Sequence, residues 1–129
     1  MPAVADHMSR DLLIVEPGST IGAAAREMAA RNVGTVLVVD EGRLVGILTE
    51  RDVLRAVAAG WDENQPVSGR MTHNPETAES DDTTEHAAML MIHGGFRHLP
   101  IVDDAEIVGI LSIRDLVRVA LDDAAPRGV

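Results

Sequence analysis

Cysteine is absent from this 129-residue chain, which excludes disulfides, thiolate catalysis and zinc–thiolate sites. Lysine is absent too: all eleven basic residues are arginine, so neither a Schiff base nor a lysine-bearing P-loop can form. No stretch of 18 apolar residues occurs, and no basic segment followed by an apolar run opens the chain. A soluble cytoplasmic protein with no membrane contact is expected. Positive charge is scarce, with a formal net charge of −10, which opposes binding to a nucleic-acid backbone and favours solubility. The arginines that are present suit bidentate recognition of phosphate or carboxylate.

What the chain does have is one unit written twice, 63 positions apart. Val4, Met8, Thr20, Met28 and Asp40 match Val67, Met71, Thr83, Met91 and Asp103. Val45-Gly46-Ile47-Leu48 recurs as Val108-Gly109-Ile110-Leu111, and Arg51-Asp52 recurs as Arg114-Asp115. No gap is needed between residue 4 and about residue 121. Such a repeat means two similar units burying apolar faces together, with a cleft expected between them.

Punctuation inside each copy predicts β-α-β-β-α. In the first, Leu13-Ile14-Val15 ends at Pro17-Gly18, and Ser19 or Thr20 caps a helix that Asn32 and Gly34 stop. Residues 35–39 and 44–48 form a hairpin about Asp40-Glu41-Gly42-Arg43, and Thr49 caps a second helix running to Gly60. The second copy opens at Thr77-Ala78, takes Thr83 or Thr84 as cap, and ends its first helix at Gly94-Gly95. The repeats are set at 4–59 and 67–121, joined by a linker at 60–66, with a flexible tail at 122–129. Trp61, in the linker, is read as a packing plug. Met28, Met89 and Met91 are read as core.

Two places carry candidate chemistry. Thr49-x-x-Asp52 and Ser112-x-x-Asp115 each put a hydroxyl at a strand end and a carboxylate in the first helical turn. That is a capping box, which satisfies orphan N–H groups at a helix start. It is equally a place where a helix N-terminus meets an anion while a carboxylate accepts from adjacent ribose hydroxyls. The other is Arg97-His98-Leu99-Pro100, which sets two cationic donors at a strand start; the first copy has Gly34-Thr35-Val36-Leu37 there. If phosphate is bound, the two copies should be unequal. His86 and His93 lie about 10 Å apart along one helix, too far to share a metal ion. No metal site and no catalytic residue is expected.

Together, Val4-x-Asp6-x-Met8-Ser9 with Val67-x-x-x-Met71-Thr72, the 96–103 strand and both Gly-Ile-Leu-Thr/Ser-x-Arg-Asp ends resemble a tandem pair of CBS domains, the Bateman module. The resemblance implies an α/β fold of two β-α-β-β-α repeats about a pseudo-twofold axis. It implies a regulatory, non-enzymatic module binding an adenosine ligand (AMP, ADP, ATP or S-adenosylmethionine) between the repeats, and a homodimer serving an effector protein. Carried over, Asp52 and Asp115 would hold ribose hydroxyls, Thr49 and Ser112 sugar or phosphate, and Arg97 and His98 phosphate. The adenine slot would be backbone near Leu12-Leu13 and Glu76-Thr77. The alternatives are a CBS-like dimeric interaction protein with vestigial clefts, or a small enzyme or metal protein using the histidines.

Overall fold

The computed structural model describes residues 2–124 and divides the chain into two compact units. The first unit is Leu12–Pro75; the second joins the residues up to Asp11 to those from Glu76 onward.

In the first unit, β1 (Ile14–Val15) leads to α1 (Ile21–Arg31), then β2 (Thr35–Asp40), β3 (Arg43–Thr49) and α2 (Glu50–Ala58). A short strand, β4 (Thr72–His73), closes a four-stranded sheet in the order β1-β2-β3-β4. β1 runs parallel to β2, and the other pairs are antiparallel. Thr20 is the residue that caps α1, accepting from Ala23 N at 3.1 Å, and left-handed Asn32 ends it. The helix turns Ile21, Ala24 and Met28 onto Val36, Val38 and Leu48 of the sheet, and Trp61 packs against the same cluster.

The second unit contains α3 (Thr84–Gly94), β5 (His98–Asp103), β6 (Glu106–Ser112) and α4 (Ile113–Ala124). Thr83 caps α3, accepting from His86 N at 3.1 Å, and Gly95 ends it at φ 71°. The opening strand shrinks to Ala78, which bridges Ile101 in parallel: its N–H donates to Pro100 O at 3.1 Å, and its carbonyl accepts from Val102 N at 2.8 Å. On the far side Ser9 exchanges two backbone bonds with Ile110 (2.8 and 2.9 Å). The core gathers Val4, Ala78, Ala87, Met91, Leu99, Ile101 and Leu111.

The compact units and the sequence repeats do not share boundaries, because each unit takes its edge segment from the start of the other repeat. Val4–Asp6 forms a 3-10 turn whose Val4 N–H donates to Asp82 O at 2.8 Å. Its counterpart Val67–Gly69 does the same to Ser19 O in the first unit. The methionine that follows each turn lies over a sheet glycine: Met71 over Gly46, Met8 over Gly109. The hairpin tips also match in form, with positive φ at both central residues, Glu41-Gly42 and Asp104-Ala105.

Several sequence expectations change. Met28 and Met91 are core, but Met89 is 58% exposed, since it stands about 200° around the helix from Met91. On α2 and α4, Val119 is buried and Val53 and Leu116 lie half-buried against their cores, whereas Leu54, Val57 and Val117 are exposed. Residues 122–124, assigned to a tail, continue α4, while 125–129 lie outside the described residues. No helix among the described residues is long and apolar enough to cross a membrane.

Candidate functional site

Each unit has a junction where β-hairpin and following helix meet. In the second unit, antiparallel register sets His98 directly opposite Ser112, and Ile113 N donates to Arg97 O at 2.9 Å. This brings Arg97, His98, Ser112 and Asp115 to one sheet margin. In the first unit Thr35 stands opposite Thr49, and Glu50 N donates to Gly34 O at 3.0 Å. Thr49 and Asp52 come together there without a cation on the facing strand.

The capping boxes are fully formed. Asp115 Oδ2 accepts from Ser112 N (2.8 Å) and from the Ser112 hydroxyl (3.0 Å), while Asp115 N donates back to Ser112 Oγ at 3.2 Å. Asp52 and Thr49 repeat this at 2.8, 3.0 and 3.3 Å. Both bonds accepted by each carboxylate fall on Oδ2. Among the described residues, Oδ1 of each has only a distant ion pair, Asp115 with Arg118 at 3.7 Å and Asp52 with Arg55 at 4.0 Å. These are longer than hydrogen bonds, so the outer oxygen keeps its accepting capacity for another donor. Both acids are largely covered, at 15% side-chain exposure, whereas the arginines are open to solvent.

Other candidates are placed less productively. Leu13 contributes its carbonyl to Leu37 N at 2.9 Å, and Glu76 and Thr77 are exposed residues leading into Ala78. Among the described residues, no group of three or more His, Asp or Glu side chains converges as a metal site would require. A recess of about 240 Å³ in the first unit is lined by Ala25, Met28, Ala29, Asn32, Val33, Glu50 and Val53. Thr49 and Asp52 do not line it, and Glu50 is the lining residue that also reaches the junction, over Gly34. Glu50 escaped sequence reasoning because it fills a variable place in the Thr-x-x-Asp pattern. Comparing the copies position by position, Glu50 against Ile113 and Gly34 against Arg97, would have revealed it.

The sequence model of the CBS domain matches residues 4–59 and 67–122. The CBS domain-containing protein YhcV of Bacillus subtilis is 40% identical over 117 residues, 90% of this chain and 84% of its own length. Among solved structures, the CBS domain pair of MJ0100 in complex with 5′-methylthioadenosine and S-adenosyl-L-methionine aligns with a TM-score of 0.88 at 30% identity, covering 95% of this chain and 98% of that one. The CBS domain protein PAE2072 of Pyrobaculum aerophilum, complexed with AMP, gives 0.86 at 31% identity with the same coverage.

Proposed function

Since the chain belongs to the CBS-domain family and carries two such domains in tandem, we propose that it is a non-catalytic regulatory module that senses an adenosine-containing ligand. The observation that carries this reading is atomic. In both junctions one carboxylate oxygen is spent on the helix cap, and the other keeps its lone pairs for outside donors such as paired ribose hydroxyls. In the second unit Arg97 leads into the strand whose first residue, His98, is paired with Ser112, and in this reading the two supply donors for phosphate. AMP in PAE2072 and the two adenosine compounds in MJ0100 support the ligand class. The output is a changed surface offered to a second copy and to an effector protein. A ligand shifts such an equilibrium only through its difference in affinity for the two states. A cytoplasmic location belongs to the same proposal.

The test is thermal denaturation with AMP, ADP, ATP, S-adenosylmethionine and guanosine nucleotides. Ligand at 100 times its dissociation constant adds about 2.7 kcal/mol to stability, so an adenosine compound should raise the melting temperature visibly and guanosine nucleotides much less. If no adenosine compound shifts the transition at millimolar concentration, the reading is wrong. The chain is then a CBS-like dimeric interaction protein, a view favoured by one fact: the chain's own groups complete both capping boxes.

A further inference from the structure

The two junctions share a backbone frame but carry opposite charge where the first strand of the hairpin begins. In the first unit the Glu50 carboxylate lies over Gly34. A Cβ built on that glycine would stand 3.4 Å from Glu50 Cδ and Oε1 and 3.6 Å from Oε2. In the second unit the residue matching Gly34 is Arg97 and the residue matching Glu50 is Ile113, tied by the same N–H to carbonyl bond. A carboxylate therefore fills the space into which, in the other copy, an arginine side chain departs. The next strand residue changes in the same sense: buried Thr35 replaces His98. At the matched positions the second copy has Arg97, Arg114 and Arg118 and no acid besides Asp115, which Arg118 approaches at 3.7 Å. The first copy has Arg51 and Arg55 there, with Arg55 4.0 Å from Asp52, and adds the acid Glu50.

The ribose-type acceptor is nevertheless unchanged, since Asp52 Oδ1 is presented as Asp115 Oδ1 is. We infer that the two junctions take different classes of nucleoside: the Asp115 junction a phosphorylated one, and the Asp52 junction one whose 5′ substituent carries no negative charge. This rests on the reading of both junctions as adenosine-ligand sites. A phosphate entering the Asp52 junction meets Glu50 where its partner arginine would be, and the repulsion selects against it. A neutral or cationic 5′ group meets no such penalty.

Calorimetry on the full chain tests this with two probes, adenosine and AMP. Asp115→Asn removes the charged acceptor of the second unit and weakens that junction on the order of ten- to hundredfold, so that binding at the Asp52 junction stands out. That variant should prefer adenosine over AMP by about tenfold. Adding Glu50→Gln should narrow the preference about three- to tenfold, the scale of one unit charge a few ångströms away through water. Glu50→Ala should do the same. An Asp115→Asn protein that binds AMP as tightly as adenosine overturns the inference, as does a preference that neither Glu50 variant moves. If Asp115→Asn binds neither probe while the unmutated protein binds AMP, the Asp52 junction is not a nucleoside site, and only this inference falls. If the unmutated protein binds neither, the sensing function falls with it.

Discussion

Gly46→Ala is the most direct probe of how one repeat supplies the edge of the other's sheet. A methyl group at residue 46 would lie 2.8 Å from Met71 Cγ and 2.9 Å from its Cε, and would overlap its sulfur. Met71 is 9% exposed and belongs to the first unit's core, so its side chain cannot swing into solvent without uncovering Leu48 and Val38. Overpacking of this kind costs about 1–3 kcal/mol. With an unfolding entropy of about 2.1 cal/mol/K per residue, that lowers the melting temperature by about 4–11 °C. Because every close atom is methionine side chain, truncating Met71 should abolish the effect: in a Met71→Ala background, Gly46→Ala should cost less than about 0.5 kcal/mol. Gly109→Ala should behave differently. There the methyl meets Met8 Cγ at 2.9 Å but also the Ser9 carbonyl at 3.0 Å, and Ser9 is fixed by its backbone pairing with Ile110. Met8→Ala should therefore rescue it only in part. Thermal and urea unfolding of both double-mutant cycles decide the matter. An equal cost for Gly46→Ala with and without Met71, or full rescue of Gly109→Ala, refutes the reasoning.

Other outcomes are as definite. Ala105 holds φ 66° at a hairpin tip where its counterpart is Gly42, so Ala105→Gly should raise stability by about 0.5–1 kcal/mol in urea unfolding. The Ser80 hydroxyl and N–H donate to Asp103 and hold its carboxyl below the ordinary value of 3.8. A depressed carboxyl stabilises the fold above the unfolded value and loses that contribution as pH falls through the folded one. Asp103→Asn should thus be less stable than the unmutated protein at pH 6, with the gap closing below about pH 4 in acid titrations followed by circular dichroism. Light scattering should find a homodimer: α3 and α4 expose Ile92 (73%), Leu121 (64%), Met89 and Val117, an apolar set that a second copy would cover. Ile92→Glu should yield a monomer, and a monomeric unmutated protein would remove the claim.

The order of elements was legible because its signals are local. Thr20 and Thr83 cap where a hydroxyl precedes a helical apolar period, and Asn32 and Gly95 take the left-handed stop. The exchange of opening segments was not legible, for a reason inherent in duplication. Met8 and Met71 are the same residue in the same setting, and Gly46 and Gly109 offer each the same seat, so no local preference says which methionine takes which glycine. Chain connectivity and packing decide it. Periodicity failed at Met89, where two methionines spaced by two residues cannot both face one core. On α4, Val119 is buried at 8% exposure while Val117 is 51% exposed, because residues two apart face different sides of a helix. At the candidate site, the Ser/Thr-x-x-Asp pattern disclosed the caps but not which oxygen performs the capping, since that depends on a side-chain torsion.

That atomic division puts capping and the proposed ligand binding on different oxygens, and substitution separates them. In Asp115→Asn the amide oxygen can take the Oδ2 place and go on accepting from Ser112 N and Oγ, so the helix start survives. The amide nitrogen then occupies the Oδ1 place, where it donates rather than accepts and ends the ion pair with Arg118. A ribose hydroxyl loses a charged acceptor, which is a loss of about 1.5–3 kcal/mol, on the order of a ten- to hundredfold fall in AMP affinity. The free protein should melt within about 4 °C of the unmutated one, because exposed ion pairs contribute at most about 1 kcal/mol. Asp115→Ala removes both oxygens and should lose the cap as well, costing about 1 kcal/mol more. Asp52→Asn should leave AMP affinity nearly intact. Equal losses for Asp52→Asn and Asp115→Asn would show that the two junctions bind alike; a melting temperature as low for Asp115→Asn as for Asp115→Ala would show that the carboxylate serves the helix alone.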